Sequence, residues 1–159
     1  AADDIAACQP LFDAMGQRTL VVGGEPAQAH LVKLSGNFMI MSILEALGEA
    51  MALVGKAGID RRRYLEILTS TLFTGPLFTK YGALLSERQF EPAGFAAILG
   101  LKDVRLALAA GEQMRVPMPM ASLVRDRFLA LLAQGGERLD WAAIGQLASQ
   151  DAGVEKLQV

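Results

Sequence analysis

The stretch PAQAHLVKLSGNFMIMSILEALGEAMALVGK, residues 26–56, decides the fold class because it has the pattern of one uninterrupted helix. Pro26 suits the first helical turn and follows the turn at Gly23-Gly24. Gly58 provides a stop just beyond the last helical residue. The stretch is apolar on almost every side, which is typical of a helix buried in the middle of a domain.

Two polar residues interrupt the first half of this helix. Lys33 and Asn37 are spaced i, i+4, so they lie about 40° apart on one helical face. A lysine ammonium can donate a proton to a carbonyl oxygen, and an asparagine amide can both donate to and accept from a hydroxyl or carboxylate. The pair therefore suggests a site, and the alternative is a lysine that simply reaches solvent.

A second polar stripe lies on the same helix, about 140° around from Lys33. It consists of Glu45, Glu49 and Lys56. We expect this stripe to face solvent.

The remainder of the chain predicts further helices and, beyond residue 22, no strand. Asp60, Gly75-Pro76 and Asp140 supply the start signals, and Gly135-Gly136 a stop. The predicted helices cover residues 60–72, 76–88, 96–115, 120–133 and 140–149. The sequence thus predicts an all-α domain, a helical bundle around the long buried central helix.

The first residues are predicted to belong to something larger. Residues 3–15 have a helical pattern, and Arg18-Thr19-Leu20-Val21-Val22 is short and β-branched, so it predicts a strand. One strand cannot form a sheet, so we interpret residues 1–23 as the end of a preceding domain and residues 24–159 as the helical domain.

Composition excludes several function classes. The net charge is −2 and the pI about 5.4, which gives nucleic-acid binding little electrostatic support. A chain with one histidine and one cysteine disfavours a metal site and an internal disulfide. We expect a cytoplasmic protein with no membrane span, because charged residues break the longest apolar stretches and no basic targeting segment is present.

A second lysine has a similar setting, in the pattern Phe95-x-x-x-Leu99-x-x-Lys102-Asp103. Alone, this pair would be taken for surface residues. Together, however, the motifs resemble the C-terminal helical domain of the β-hydroxyacid dehydrogenase family, which includes 3-hydroxyisobutyrate dehydrogenase and tartronate semialdehyde reductase and is 6-phosphogluconate dehydrogenase-like. The matching residues, in order, are Gly24, Lys33, Asn37, Phe95, Leu99, Lys102, Asp103, Pro117, Pro119, Gly135, Gly136 and Asp140.

The resemblance implies a role for each of five residues. Lys33 would be the catalytic acid/base, and Asn37 and Gly24 would belong to the substrate site. Lys102 and Asp103 would belong to the cofactor site, where Lys102 would reach the cofactor and Asp103 would orient it. The sequence departs from the family at two positions where glycines are usual, Ala27 and Ala29.

The same resemblance implies the rest of the protein. Residues 1–23 would end a Rossmann domain that binds most of an NAD or NADP cofactor, and this chain alone would be inactive. The substrate would be a small hydroxy acid or its semialdehyde, and the protein would form a homodimer or higher homo-oligomer. The alternatives are a non-catalytic helical oligomerisation module and an imine-reductase-like enzyme. The sequence does not identify the acid, and it does not choose between NAD and NADP.

Overall fold

The computed structural model describes residues 2–154, and this part of the chain is all-α, as predicted. It contains seven α-helices and two short 3₁₀ segments, Gly136–Arg138 and Trp141–Gly145. The α-helices are α1 (Ala2–Met15), α2 (Pro26–Lys56), α3 (Arg61–Thr69), α4 (Pro76–Glu87), α5 (Ala97–Met114), α6 (Pro119–Ala133) and α7 (Gln146–Asp151).

The helix boundaries follow the signals in the sequence. Pro26 occupies the first turn of α2, and the Glu25 backbone N–H donates to Gln28 Oε1 at 3.2 Å. Asp60 caps α3 by accepting from the Arg63 backbone N–H at 2.9 Å. Gly58, with φ of 81°, adopts the left-handed conformation that ends α2 and turns the chain towards α3.

The core forms where the second half of α2 is enclosed by other helices. Met41, Leu44 and Met51 of α2 are buried in one cluster with side chains of α5, α6 and the second 3₁₀ segment. Gly48 packs against Gly145 so closely that a Cβ on Gly48 would lie 2.2 Å from the Gly145 carbonyl oxygen. The absence of a side chain at Gly48 therefore lets the 3₁₀ segment rest directly on α2.

Burial of the long helix is confirmed only for this second half. The buried residues of α2 begin at Met41, whereas most of the preceding residues are exposed or half-buried. Length and composition alone would also let α2 cross a membrane. Its second half is instead packed among the other helices, and its first half carries polar groups such as Lys33.

The predicted strand at residues 18–22 is wrong. The preceding helix is present as α1, but the segment after it has no regular structure, and Leu20, Val21 and Val22 are exposed. A strand is stabilised by ladder hydrogen bonds to a neighbour, and no other strand lies within residues 2–154. The predicted boundary between residues 1–23 and 24–159 remains a prediction.

Candidate active site

Four of the five residues singled out in the sequence meet where the first half of α2 crosses α5. Lys33 and Asn37 lie one turn apart on α2, as their spacing predicts. Lys102 and Asp103 lie in the first half of α5. The two motifs are about 70 residues apart in the chain, and helix packing brings them together around one carboxylate.

Asp103 is the centre of this group. Its Oδ2 accepts from Lys33 Nζ at 2.5 Å and from Asn37 Nδ2 at 2.6 Å. Lys102 Nζ forms an ion pair with the other oxygen, Oδ1, at 3.0 Å. One carboxylate therefore orients the two polar side chains of α2 and pairs with both lysines.

Burial and charge act on Asp103 in opposite directions. Its side chain is 1% exposed, and burial alone would raise the pKa of a carboxyl. The contacts with Lys33, Lys102 and Asn37 outweigh burial and hold the pKa of Asp103 below its ordinary value of 3.8. Asp103 is therefore a carboxylate at neutral pH.

The two lysines, by contrast, face solvent. The Lys33 side chain is 54% exposed and that of Lys102 is 57% exposed. Two ammonium groups share one carboxylate, so the cluster carries one excess positive charge. Such an arrangement presents a proton donor to an arriving molecule and favours ligands that are anionic.

Two of the five predicted site residues, Asp103 and Gly24, are placed differently from the exposed lysines. The Asp103 carboxylate is buried and holds Lys33 and Asn37, and its role in the cofactor site stays a prediction. Gly24 lies on the loop before α2, and Lys33 follows Pro26 by seven residues, about 10 Å along the helix axis. Gly24 lines a cavity with residues of α1 and is not part of the Asp103 group.

Among the described residues no group of histidine, cysteine and carboxylate side chains is arranged to hold a metal ion. The only histidine, His30, is exposed on the first turns of α2. The side chains that meet at Asp103 offer ammonium, amide and carboxylate groups.

A second buried carboxylate, Glu45, corrects another prediction. Glu49 and Lys56 are exposed as expected, but Glu45 is 3% exposed and lies beneath α6. Arg127 Nε lies 2.6 Å from Glu45 Oε1, and Arg127 Nη1 donates to Asp151 Oδ2 at 2.6 Å. Burial raises the pKa of Glu45 to about 7, with Arg127 opposing and the nearby carboxylates adding to the rise.

The chain is similar to known oxidoreductases. Residues 27–148 match the family described as the NAD-binding domain of NADP-dependent 3-hydroxyisobutyrate dehydrogenase. The uncharacterized oxidoreductase YfjR of Bacillus subtilis is 41% identical over 138 residues, 87% of this chain and 48% of that protein. Glyoxylate/succinic semialdehyde reductase 1 of Arabidopsis thaliana is 31% identical over 85% of this chain and 46% of that protein.

The fold has a counterpart among solved structures. The crystal structure of a 3-hydroxyisobutyrate dehydrogenase from Salmonella typhimurium superposes with a TM-score of 0.82 over 90% of this chain and 50% of that one, at 21% identity. The chain spans about half the length of the relatives that it matches. The family's description agrees with the predicted cofactor class, NAD or NADP. The chain belongs to the 3-hydroxyisobutyrate dehydrogenase family of NAD(P)-dependent oxidoreductases.

Proposed function

With this family as the premise, we propose that the chain is the helical half of an enzyme that interconverts a 3-hydroxy acid and its semialdehyde. Lys33 is the general acid/base of this proposal. The observation that carries it is the hydrogen bond from Lys33 to the buried Asp103, which leaves the ammonium group oriented and half exposed.

Lys33 performs the proton transfer in this scheme. When the semialdehyde is reduced, its carbonyl oxygen takes a proton from Lys33 Nζ, and the carbonyl carbon receives the hydride. In the oxidation direction, the hydroxyl proton returns to the amine as hydride leaves the carbon. NAD(P), when bound, accepts or supplies the hydride. The contact with Asp103 fixes the position of Nζ, as a general acid requires.

Asn37 contributes orientation. Its Nδ2 is committed to Asp103, while its Oδ1 has no hydrogen-bond partner among the described residues. An amide oxygen held in this way accepts from a hydroxyl group. In this proposal Asn37 binds the substrate hydroxyl beside Lys33. Lys102, which pairs with the other oxygen of Asp103, reaches the cofactor.

The remainder of the enzyme lies outside the helical domain in this proposal. A Rossmann domain, of which residues 1–23 would be the end, would supply most of the dinucleotide site. The protein is proposed to be cytoplasmic. Its proposed substrate is a short semialdehyde acid, of the kind named for the Arabidopsis relative.

Homodimer formation is part of the same proposal. The first half of α2 exposes Leu31, Val32 and Met39, and a cavity of about 370 Å³ beside it is lined mostly by apolar side chains. In this proposal, a second copy of the protein covers this exposed apolar area. Sedimentation of the parent protein tests this expectation, which a monomer at micromolar concentration would contradict.

The proposed activity is tested with the parent protein that contains this chain. We expect NAD(P)H oxidation with short semialdehyde acids, and a loss of about 10²- to 10⁴-fold in kcat for Lys33→Ala. Lys56→Ala is the matched control, because Lys56 is an exposed lysine on the same helix. Circular dichroism establishes that both variants are folded.

Three outcomes would contradict the proposal. Activity that is indifferent to Lys33 would remove the assigned acid/base. Activity on cyclic imines alone would indicate an imine reductase. No turnover and no dinucleotide binding by the parent protein would indicate an oligomerisation module.

A further inference from the structure

The outward face of α5 carries a second cation beside Lys102. Arg105 follows Lys102 by three residues, so the two side chains are neighbours on the helix surface. Both line an open concavity of about 310 Å³ whose apolar wall is formed by Ile98, Leu101 and Leu106. The concavity adjoins the active-site group, because Lys102 is paired with Asp103.

Arg105 has no acidic partner among the described residues. Several other arginines do: Arg63 pairs with Glu66, Arg125 with Asp126, and Arg127 with Glu45 and Asp151. Two acids line a second concavity with Arg105: Glu112, about 10 Å farther along the axis of α5, and Asp126 of α6, which is paired with Arg125. The guanidinium of Arg105 is therefore exposed and available to a ligand.

The charges around this concavity do not cancel. Lys33, Lys102 and Asp103 together leave one positive charge, and Arg105 adds a second. Uncompensated positive charge beside a concave apolar surface favours a ligand with an anionic end and an apolar body. A guanidinium also presents paired N–H groups that match the two oxygens of a carboxylate or phosphate.

We propose that Arg105, together with Lys102, binds an oxyanion of the ligand in this active site. The oxyanion is either the carboxylate of the substrate or a phosphate of the dinucleotide. This inference rests on the proposed function, since it takes the ligands from that reaction. Arg105 is assigned to binding and Lys33 to chemistry, so the two assignments predict different kinetic effects.

The test compares Arg105→Ala and Arg105→Lys in the parent protein. Steady-state kinetics gives kcat and KM for a short semialdehyde acid, and fluorescence titration gives the Kd of NADH and of NADPH. We expect Arg105→Ala to raise one of these constants about 10-fold while kcat changes less than about 3-fold. Arg105→Lys keeps the charge and should restore part of the loss.

Which constant changes in Arg105→Ala identifies the oxyanion that Arg105 binds. A higher KM for the semialdehyde acid with unchanged NADH binding assigns Arg105 to the substrate carboxylate. A higher Kd for NADH and NADPH assigns it to a phosphate. The matched control is Arg62→Ala, an exposed arginine on α3.

Failure of this inference is distinguishable from failure of the proposed function. If turnover depends on Lys33 but every constant is the same for Arg105→Ala as for Arg62→Ala, the Arg105 assignment is overturned while the enzyme assignment stands. An equal loss of binding in both variants also overturns it, because the effect would then be that of general surface charge. If no semialdehyde is reduced, the NADH titration still tests Arg105 directly.

Discussion

Two carboxylates are buried at different points along α2, and their pKa values move in opposite directions. Asp103 meets the first half of the helix and is held below its ordinary pKa. Glu45 lies under α6 and has its pKa raised to about 7. Burial raises the pKa of both, so the difference must come from the groups around each one.

The number and sign of those neighbours explain the difference. Asp103 is contacted by two ammonium groups and one amide, all of which favour the charged form. Glu45 has one cationic partner, an Oε2 without any hydrogen-bond partner, and two acidic neighbours, Glu49 and Asp151. A buried carboxylate is thus kept ionised only when its donors outweigh its desolvation.

The comparison also separates two uses of a buried acid. Asp103 orients groups that reach solvent and can meet a ligand. Glu45 joins α2 to α6 through its ion pair with Arg127, and Arg127 also pairs with Asp151 at the end of α7. Removing the Asp103 carboxylate should therefore lower the catalytic rate. Removing Glu45 or its partners should instead change the free energy of unfolding.

Among the variants that test this comparison, the largest effect is expected from Asp103→Asn. This change keeps the shape of the side chain but removes the charge that holds Lys33 in place. We expect kcat of the parent protein to fall about 10²-fold, as is typical when a catalytic group is displaced by about 1 Å. The KM should change much less.

A matched variant separates positioning from general charge effects. Glu112→Gln removes an exposed carboxylate from the same helix and should leave kcat within about 2-fold. Thermal unfolding shows whether Asp103→Asn is folded. A folded variant with wild-type kcat would mean that Lys33 does not depend on this carboxylate.

The next largest effect concerns Arg127→Met. This change leaves Glu45 buried without its cation, and breaking such a pair costs about 3 kcal/mol. Because the Arg127 side chain is 20% exposed, we expect the free energy of unfolding at pH 8 to fall by about 2 kcal/mol. Urea denaturation measures it.

Two variants check the origin of this loss. Arg125→Met removes a neighbouring arginine whose pair with Asp126 is more exposed, and it should cost less than about 0.5 kcal/mol. Combining Arg127→Met with Glu45→Gln should recover part of the loss. If the double variant is as unstable as the simple sum of the two changes, the pair is not coupled.

The two carboxylates, Asp103 and Glu45, also show which features of the site could be predicted from the sequence. The i, i+4 spacing was sufficient to place Lys33 and Asn37 on one face. It could not show that Asp103 points inward and Lys102 outward, because that depends on which side of α5 meets α2. Glu45 has the spacing of a surface stripe with Glu49 and Lys56, and only the packing of α6 and α7 buries it.

The same limit applies to the fold. Helix starts at Pro26 and Asp60 were predictable because capping is a local effect. The strand prediction for residues 18–22 failed because local β-propensity cannot supply a pairing partner. The contact of Gly48 with Gly145 joins residues almost 100 positions apart, and a single sequence contains no sign of it.

A smaller, pH-dependent effect is expected for Glu45→Gln. The pKa of Glu45 is about 7 in the folded chain and near its ordinary 4.5 in the unfolded chain, so the folded state binds the proton more tightly. Folding stability should therefore decrease as pH rises from about 5 to about 7, by on the order of 2 kcal/mol, and then level off. The glutamine variant should lack this part of the slope.

The control for this pH dependence is Glu49→Gln, which changes an exposed acid one turn away. It should retain most of the slope, because the proton responsible for it binds at position 45. Urea denaturation at several pH values between 5 and 8 measures the difference. If Glu45→Gln keeps the full wild-type slope, another group titrates and Glu45 is ionised throughout.

The smallest effect should come from Asp151→Asn, at the outer end of the same network. The Asp151 side chain is 66% exposed, so its pair with Arg127 is screened by water and should contribute no more than about 0.5 kcal/mol. Its carboxylate also raises the pKa of Glu45, and removing it favours the ionised form there. The two effects oppose each other at pH 8, so we expect an unfolding free energy close to that of the wild type. A loss comparable to that of Arg127→Met would show that Asp151, and not Glu45, is the main partner of Arg127. The stabilising role that the comparison assigns to Glu45 would then be wrong.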